Sequence, residues 1–253
     1  MGVSSAEKVL TVLKAFSSND REMGNLELSE KLGLPKSTAN RLLHILESSE
    51  FVQQNPVTKR YMLGRAAADI GRAVNRYISS QLVRIAQPYL DRLRDAAGET
   101  VGLEMMSGKK TTLVYEAKGP NPVSVSFAVG DRLPLHVAAG GKAMLAFFPP
   151  ERVDRIIKGK LTRYTPKTIT RAITLKKQLQ EIRSSGVAFD YQELDMDVHA
   201  IGAPVFSHEK NPVAGVVVAA PAFRMNVEFE SKVIPLLKET AKNISARLFY
   251  SED

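Results

Sequence analysis

The chain has 253 residues, 44% apolar and 25% charged, the balance of an ordinary globular protein with one large domain or two average ones. It contains no cysteine, which excludes disulfide scaffolds, zinc–thiolate sites, iron–sulfur clusters and cysteine nucleophiles. A formal net charge of +8, from 35 Lys and Arg against 27 Asp and Glu, favours anionic partners, nucleic acid first. The excess is spread along the chain: residues 1–80 hold 11 Lys and Arg and 8 Asp and Glu. A nucleic-acid reading must therefore rest on local arrangement. No run approaches the roughly 20 apolar residues of a membrane-spanning helix. Met1, Gly2, Val3 and Ser4 do not open a basic stretch followed by an apolar core. The expected location is the cytoplasm, with no membrane partner.

In chain order, Val9, Val12, Leu13 and Phe16 recur at helical spacing and predict a helix from about Ser5. Asn19 to Asn25 reads as a polar loop, and a short helix from about Glu27 to Leu32 places Leu28 and Leu32 on one face. Gly33, Leu34 and Pro35 end that helix and begin the next, with proline suited to a first helical position. In the third helix Ala39, Leu42, Leu43 and Leu46 form an apolar stripe, and the opposite face presents Lys36, Ser37, Thr38, Asn40, Arg41 and His44. Two strands, Phe51 to Gln54 and Arg60 to Leu63, follow around a turn at Asn55-Pro56, with Lys59 and Arg60 near its tip. This is the pattern of a winged helix-turn-helix. Lys36 and Arg41 can meet phosphate or guanine, Asn40 can pair with adenine, and Ser37 and Thr38 can bond phosphate beside the helix N-terminus. Lys59 and Arg60 would contact the backbone or minor groove.

A linker helix is predicted between Gly64 and Ser79. Its narrow stripe of Ala67, Ile70, Gly71, Val74 and Ile78 can meet another chain as readily as its own. Ala86, Leu90, Leu93 and Ala97 then mark a helix that ends at Gly98. Strand-like runs follow at Thr100 to Met106, Lys110 to Glu116 and Val123 to Val129. A small-residue helix over about Ala138 to Phe147 stops at Pro149-Pro150, and another spans about Leu175 to Ser185. Strands around Gly186 to Tyr191, Val198 to Phe206 and Val213 to Ala220 precede a last helix carrying Val233, Leu237, Ile244 and Leu248. Short loops between strands imply a largely antiparallel sheet flanked by helices, an α+β arrangement.

The run from Leu28 to Leu43, followed by Tyr61-Met62-Leu63-Gly64, resembles the DNA-binding domain of the IclR family of bacterial transcription regulators. Pro134-Leu135-His136, Gly141-Lys142-Ala143-Met144-Leu145-Ala146 and Ile201-Gly202-Ala203-Pro204-Val205-Phe206 continue the likeness in order along nearly the whole chain. The resemblance implies three parts: a winged helix-turn-helix over residues 1–63, a linker helix over 64–79 and a GAF-like effector-binding domain over 80–253. It also implies a homodimer, often paired into a tetramer, on double-stranded operator DNA. Lys36, Ser37, Thr38, Asn40 and Arg41 match the family's recognition face. The small-molecule effector pocket it suggests comprises Ala139, Gly140, Asp190, Val198, Ala200, Val217 and Ala219. Val217 and Ala219 are apolar where some members carry polar side chains, which points to an aromatic or otherwise partly apolar organic acid. The plainer reading of those two residues is ordinary core. Repressors and activators share this head, since the operator's place sets the outcome.

Enzyme-like signals fail on spacing. Gly140-Gly141-Lys142 lacks the earlier glycine and the following Ser or Thr of a phosphate loop, with His136 and Ala143 at those places. Glu193, Asp195, Asp197 and His199 alternate, but Ala200 and Phe206 stand where a calcium loop needs Gly and Glu. They read as a solvated or loop-facing acidic run. No nucleophile elbow and no helical zinc pair of histidines occur, so neither catalysis, metal nor cofactor is expected. His136 is expected to orient a loop. Two rivals stay open: an enzyme fused to a DNA-binding head, using Asp190, Glu193 and His136, and an adaptor whose winged helix contacts protein rather than DNA.

Overall fold

The structure, a computed structural model, describes residues 4–17, 22–208 and 210–249. Residues 19–21 of the predicted polar loop lie outside the described residues. The chain divides into two units, Met1–Ile78 and Ser79–Asp253.

In the first unit three helices, α1 (Ser5–Ser17), α2 (Asn25–Leu32) and α3 (Lys36–Ser48), precede a hairpin of β1 (Val52–Gln54) and β2 (Tyr61–Leu63). The predicted stripes are the core: Val12 and Phe16 of α1, Leu28 of α2, and Ala39, Leu42, Leu43 and Leu46 of α3 are all buried. Burying each of those leucines contributes about 1.5–3 kcal/mol. Helix α2 starts earlier than its sequence indicates, with Gly24 as an extended cap that has no side-chain bond. Gly33 ends it in the left-handed region, φ 61°. There its N–H donates to the Glu30 carbonyl and that of Leu34 to the Ser29 carbonyl, a pair of hydrogen bonds that closes the helix. Pro35 is the cap of α3 rather than its first helical residue. One loop expectation is corrected: Met23 is fully buried and bridges to Tyr61, N–H to carbonyl at 2.9 Å in both directions. An unbranched apolar side chain at a loop's edge can add a third rung to the wing.

Helix α4 (Arg65–Ala97) is continuous through both helical patterns read from the sequence. In the second unit six antiparallel strands form one sheet in the order β5-β4-β3-β8-β7-β6. They are β3 (Thr100–Ser107), β4 (Lys110–Ala117), β5 (Arg132–Pro134), β6 (Ala188–Tyr191), β7 (Val198–Phe206) and β8 (Pro212–Pro221). Helices α5 (Ala139–Leu145), α6 (Pro150–Ile157), α7 (Ala172–Ser185) and α8 (Val227–Phe249) complete it. The run at 123–129 is not a strand: it is an irregular connection, and the short β5 takes the edge beside β4. Helix α6 also escapes the sequence reading. Pro149 and Pro150 read as a stop, yet Pro149 caps a new helix and Pro150 opens it, because proline's fixed φ suits a first turn as well as it prevents continuation.

Side chains alternate across this sheet with period two. One face is large and apolar: Val101, Leu103, Ile201, Val205, Val216 and Val218 pack with Leu82, Ala86, Leu90 and Leu93 of α4 and with Val233, Leu237 and Ile244 of α8. The other face is made of small residues, and three registered rows cross it. Thr100, Ala219, Ala200 and Asp190 form the first; Gly102, Val217, Gly202 and Ala188 the second; Glu104, Gly215 and Pro204 the third. Helix α5 lies on this face. A Cβ at Gly202 would stand 2.6 Å from the Ala139 carbonyl carbon, and one at Gly215 would stand 2.7 Å from the Gly140 Cα. Glycine there lets helix backbone rest directly on strand backbone. No helix among the described residues is long and apolar enough to cross a membrane.

Candidate nucleic-acid interface and effector cleft

Helix α3 carries the first candidate site. With Ala39, Leu42, Leu43 and Leu46 turned inward, the helix geometry leaves Lys36, Ser37, Asn40, Arg41 and His44 exposed and Thr38 half-buried. Pro35 supplies no side-chain cap, so the first N–H groups of α3 have no side-chain acceptor there, and the positive end of the helix dipole favours an anion such as phosphate. The Asn40 amide oxygen accepts from Asn25 Nδ2 at 3.2 Å, which ties the start of α2 to the exposed face of α3. His44 Nδ1 lies 3.6 Å from a Glu47 carboxylate oxygen.

The wing is pinned rather than loose. Asn55 Oδ1 accepts from the N–H groups of Val57 and Thr58, and Lys59 sits at its tip with φ 57°. The Glu22 carboxylate accepts from Asn55 Nδ2 at 2.5 Å and Thr58 Oγ1 at 2.6 Å, and these bonds hold its carboxyl below the usual range. Arg60 donates to the Glu22 carbonyl through Nε at 3.1 Å and Nη2 at 2.8 Å, and Nη2 reaches the Glu27 carboxylate at 2.5 Å. Of the two wing cations read from the sequence, Lys59 is exposed at the tip, whereas Arg60 spends its donors joining the wing to α2. Sequence spacing shows both near a turn and cannot show that partner.

The second candidate site is the small-residue sheet face. Ala139, Ala200, Val217 and Ala219 form one buried cluster, with Val198, Val125 and Phe127 packed against it. Gly140 adjoins it, since a Cβ there would stand 2.9 Å from a Val217 methyl. Asp190 shares the first row with Ala200 and Ala219. A cleft of about 610 Å³ adjoins this cluster through Val125 and Val198, within the usual size for a small-molecule site. Residues 123–126 form one wall, and residues 196–198 and 221–223 another, with Phe223 74% exposed at the mouth. The first wall is fastened from behind: Thr100 Oγ1 donates to the Val125 carbonyl, and Arg224 bonds both Glu99 and the Val123 carbonyl.

Two polar side chains on this side of the domain, Lys142 and Glu104, were not singled out for this site from the sequence, whereas Asp190 was, and Glu193 and His136 were placed in the rival enzyme pocket. Lys142 of α5 is fully buried and pairs with Glu193, itself buried. The acidic run lies in a loop, residues 192–197, with Asp195 and Asp197 exposed as read; the correction is Glu193, which turns inward to the ammonium. Burial pushes the Asp190 carboxyl up to about 6, opposed by the Glu193 N–H at 2.6 Å and by Lys142. Burial pushes Glu104 up to about 7, and the nearby Asp190 adds to this while Thr111 and the Gly141 N–H oppose it. One Glu104 oxygen has no hydrogen-bond partner. Glu104 was legible in principle, as a charge on the same strand side as Thr100 and Gly102. His136 Nε2 meets the Thr162 carbonyl at 2.9 Å, holding the loop ahead of α7. Among the described residues no group of three His, Asp or Glu could hold a metal ion.

Residues 5–56 match the IclR helix-turn-helix domain, and residues 74–246 match the bacterial transcriptional regulator IclR C-terminal domain. The chain belongs to the IclR family. This IclR-family regulator is 31% identical to the HTH-type transcriptional repressor AllR of Klebsiella pneumoniae over 249 residues, 98% of this chain and 90% of that protein. AllR of Escherichia coli K12 is 27% identical, covering 98% and 91%. Among solved structures, the Thermotoga maritima IclR is similar at a TM-score of 0.66 and 30% identity, covering 97% of this chain and 99% of that one. An IclR homologue of Microbacterium hydrocarbonoxydans, complexed with 4-hydroxybenzoate, shares the fold at a TM-score of 0.63 and 21% identity, covering 97% and 99%. The regulator is thus a DNA-binding transcription factor with a C-terminal ligand-binding domain, and the two AllR relatives named above are repressors.

Proposed function

We propose that this IclR-family protein is a cytoplasmic repressor whose residues 1–63 hold operator DNA and whose residues 80–253 sense a partly apolar organic acid, the two joined by a linker helix over 64–79. Lys36, Ser37, Thr38, Asn40, Arg41 and His44 address the major groove, and Lys59, with Arg60 behind it, addresses the backbone. Ala139, Gly140, Asp190, Val198, Ala200, Val217 and Ala219 make the effector site. The protein works as a homodimer or as a tetramer. The exposed stripe of Ile70, Val74 and Ile78 on α4 supports pairing, since apolar side chains at helical spacing stand open to solvent there.

One observation carries the effector reading: Ala139, Val198, Ala200, Val217 and Ala219 share one cluster beside the 610 Å³ cleft. The cluster supplies an apolar floor, and Ser124, Ser126, Gln192 and Asp197 add polar groups to the cleft, a combination that suits a ligand with a hydrocarbon or aromatic body and a polar end. The ligand alters DNA affinity only by binding differently to the geometries of the paired heads, one of which matches half-sites about one helical turn apart.

The test titrates 4-hydroxybenzoate into the protein on its operator at fixed salt and reads both ligand binding and DNA affinity. Binding accompanied by weakened operator affinity, with both lost in Ala200→Leu, is the expected result. A ligand that binds in the cleft and leaves operator affinity unchanged would refute the coupling.

A further inference from the structure

A second cavity lies away from the effector cleft, where the sheet is left open. Strand β6 pairs with β7 only over residues 199–202, so the end of β7, residues 203–206, has no strand on its outer side. A cavity of about 530 Å³ runs along this end. Its apolar lining includes Phe147, Ala203, Pro204, Phe206 and Ala241, and the two phenyl rings meet edge to face at 5.0 Å. Three exposed lysines, Lys210, Lys238 and Lys242, also line it, and no acidic side chain among the described residues does. Lys238 crosses over Gly186 and donates one hydrogen to the Ser185 carbonyl at 2.9 Å, which fixes its ammonium at the rim.

The backbone beside the cavity is closed to an added strand. Pro204 has no N–H, and the N–H of Phe206 is taken by Ser245 Oγ at 2.9 Å, which itself donates to the Ala241 carbonyl. A second copy is disfavoured as well, because a two-fold contact would set three lysines against the same three lysines. An apolar slot ringed by ammonium groups is complementary to a small molecule with a greasy body and one negative end.

We propose that this cavity is a second small-molecule site, taking an amphipathic monocarboxylate whose body lies against Phe147, Phe206 and Ala241 and whose carboxylate sits among Lys238, Lys242 and Lys210. The site is separate from the effector cleft, so the two can be told apart by where substitutions act.

The test is calorimetric titration of the full chain with decanoate, and with decan-1-ol as the uncharged counterpart. Decanoate is expected to bind. The double substitution Lys238→Gln with Lys242→Gln should weaken it about tenfold, or 1.4 kcal/mol, while decanol affinity stays within about twofold. Both lysines are exposed, so the thermal midpoint of the double variant should match the wild type. Val123→Glu, which puts a like charge at the mouth of the effector cleft, should leave decanoate binding unchanged. No binding of decanoate, binding indifferent to the lysines, or binding lost on Val123→Glu would each overturn the proposal. So would a lysine-dependent change in sedimentation without bound decanoate, which would give this face to a second copy.

Discussion

Helices α3 and α5 are both short, both pressed on a scaffold, and opposite in how they present chemistry. Helix α3 hides an alanine and three leucines and offers its polar side chains outward. In α5 all seven residues are buried. It offers close backbone contact with the sheet, obtained by glycine and alanine on both sides of the contact. A reading helix is built from what its side chains add, and this buried helix is built largely from what its side chains leave out. The two regions should therefore fail differently when altered: α3 should lose binding with its fold intact, and the α5 face should lose stability first.

The largest effect is expected at the buried pair under α5. Lys142→Ala leaves the Glu193 carboxylate buried without its counter-charge and should cost about 3–5 kcal/mol in chemical denaturation. Combining Lys142→Met with Glu193→Leu should recover most of that loss, since a buried pair replaced by apolar groups is often neutral. If the single substitution is silent, the pair does not hold the α5 face.

The next effect is a pH dependence. Glu104 binds its proton more tightly folded, near 7, than unfolded, near 4.5, so the native state holds more protons between those values. Stability must then fall as pH rises from about 4.5 to 7, by about 3 kcal/mol for this group, with Asp190 adding loss in the same direction up to about 6. Glu104→Gln should flatten most of that slope in denaturation series at pH 5 and 8. An unchanged slope would remove Glu104 as its source.

On α3 the effects are smaller and appear in DNA binding. Arg41→Ala should weaken operator affinity by about 1–3 kcal/mol and relax one base position, with stability changed by less than about 0.5 kcal/mol. The smallest belongs to the wing: Lys59→Ala should lower affinity about equally on all sequences and reduce the slope of log affinity against log salt by about 1.

The sequence made α3 legible because a 3.6-residue stripe and its polar complement lie within a dozen consecutive residues. The antiparallel sheet and its small-residue strands were equally readable, since β7 and β8 are near-continuous apolar runs of nine and ten residues joined by a short loop. What stayed hidden depends on distant partners. The inward turn of Glu193 requires Lys142, 51 residues away, and the capture of Arg60 requires Glu22 and Glu27. Met23 looked like loop because its partner Tyr61 follows much later in the chain. The 123–129 run carries β-branched residues as a strand does, yet its bonds go to Thr100, Glu116 and Arg224 side chains rather than to a ladder. Local composition cannot separate a strand from a connection held by side chains.

The most direct measurement selects binding sites from a random duplex library with the wild type and with Arg41→Ala, then measures both proteins on the selected and on scrambled DNA. If the polar side of α3 reads bases, the wild type enriches paired half-sites. The variant should lose affinity for them by the amount given above, accept more than one base at a single symmetric position, and bind scrambled DNA nearly as before. Identical selected sequences from both proteins, with affinity lost equally on selected and scrambled DNA, would show that this face only holds phosphate and would contradict the account.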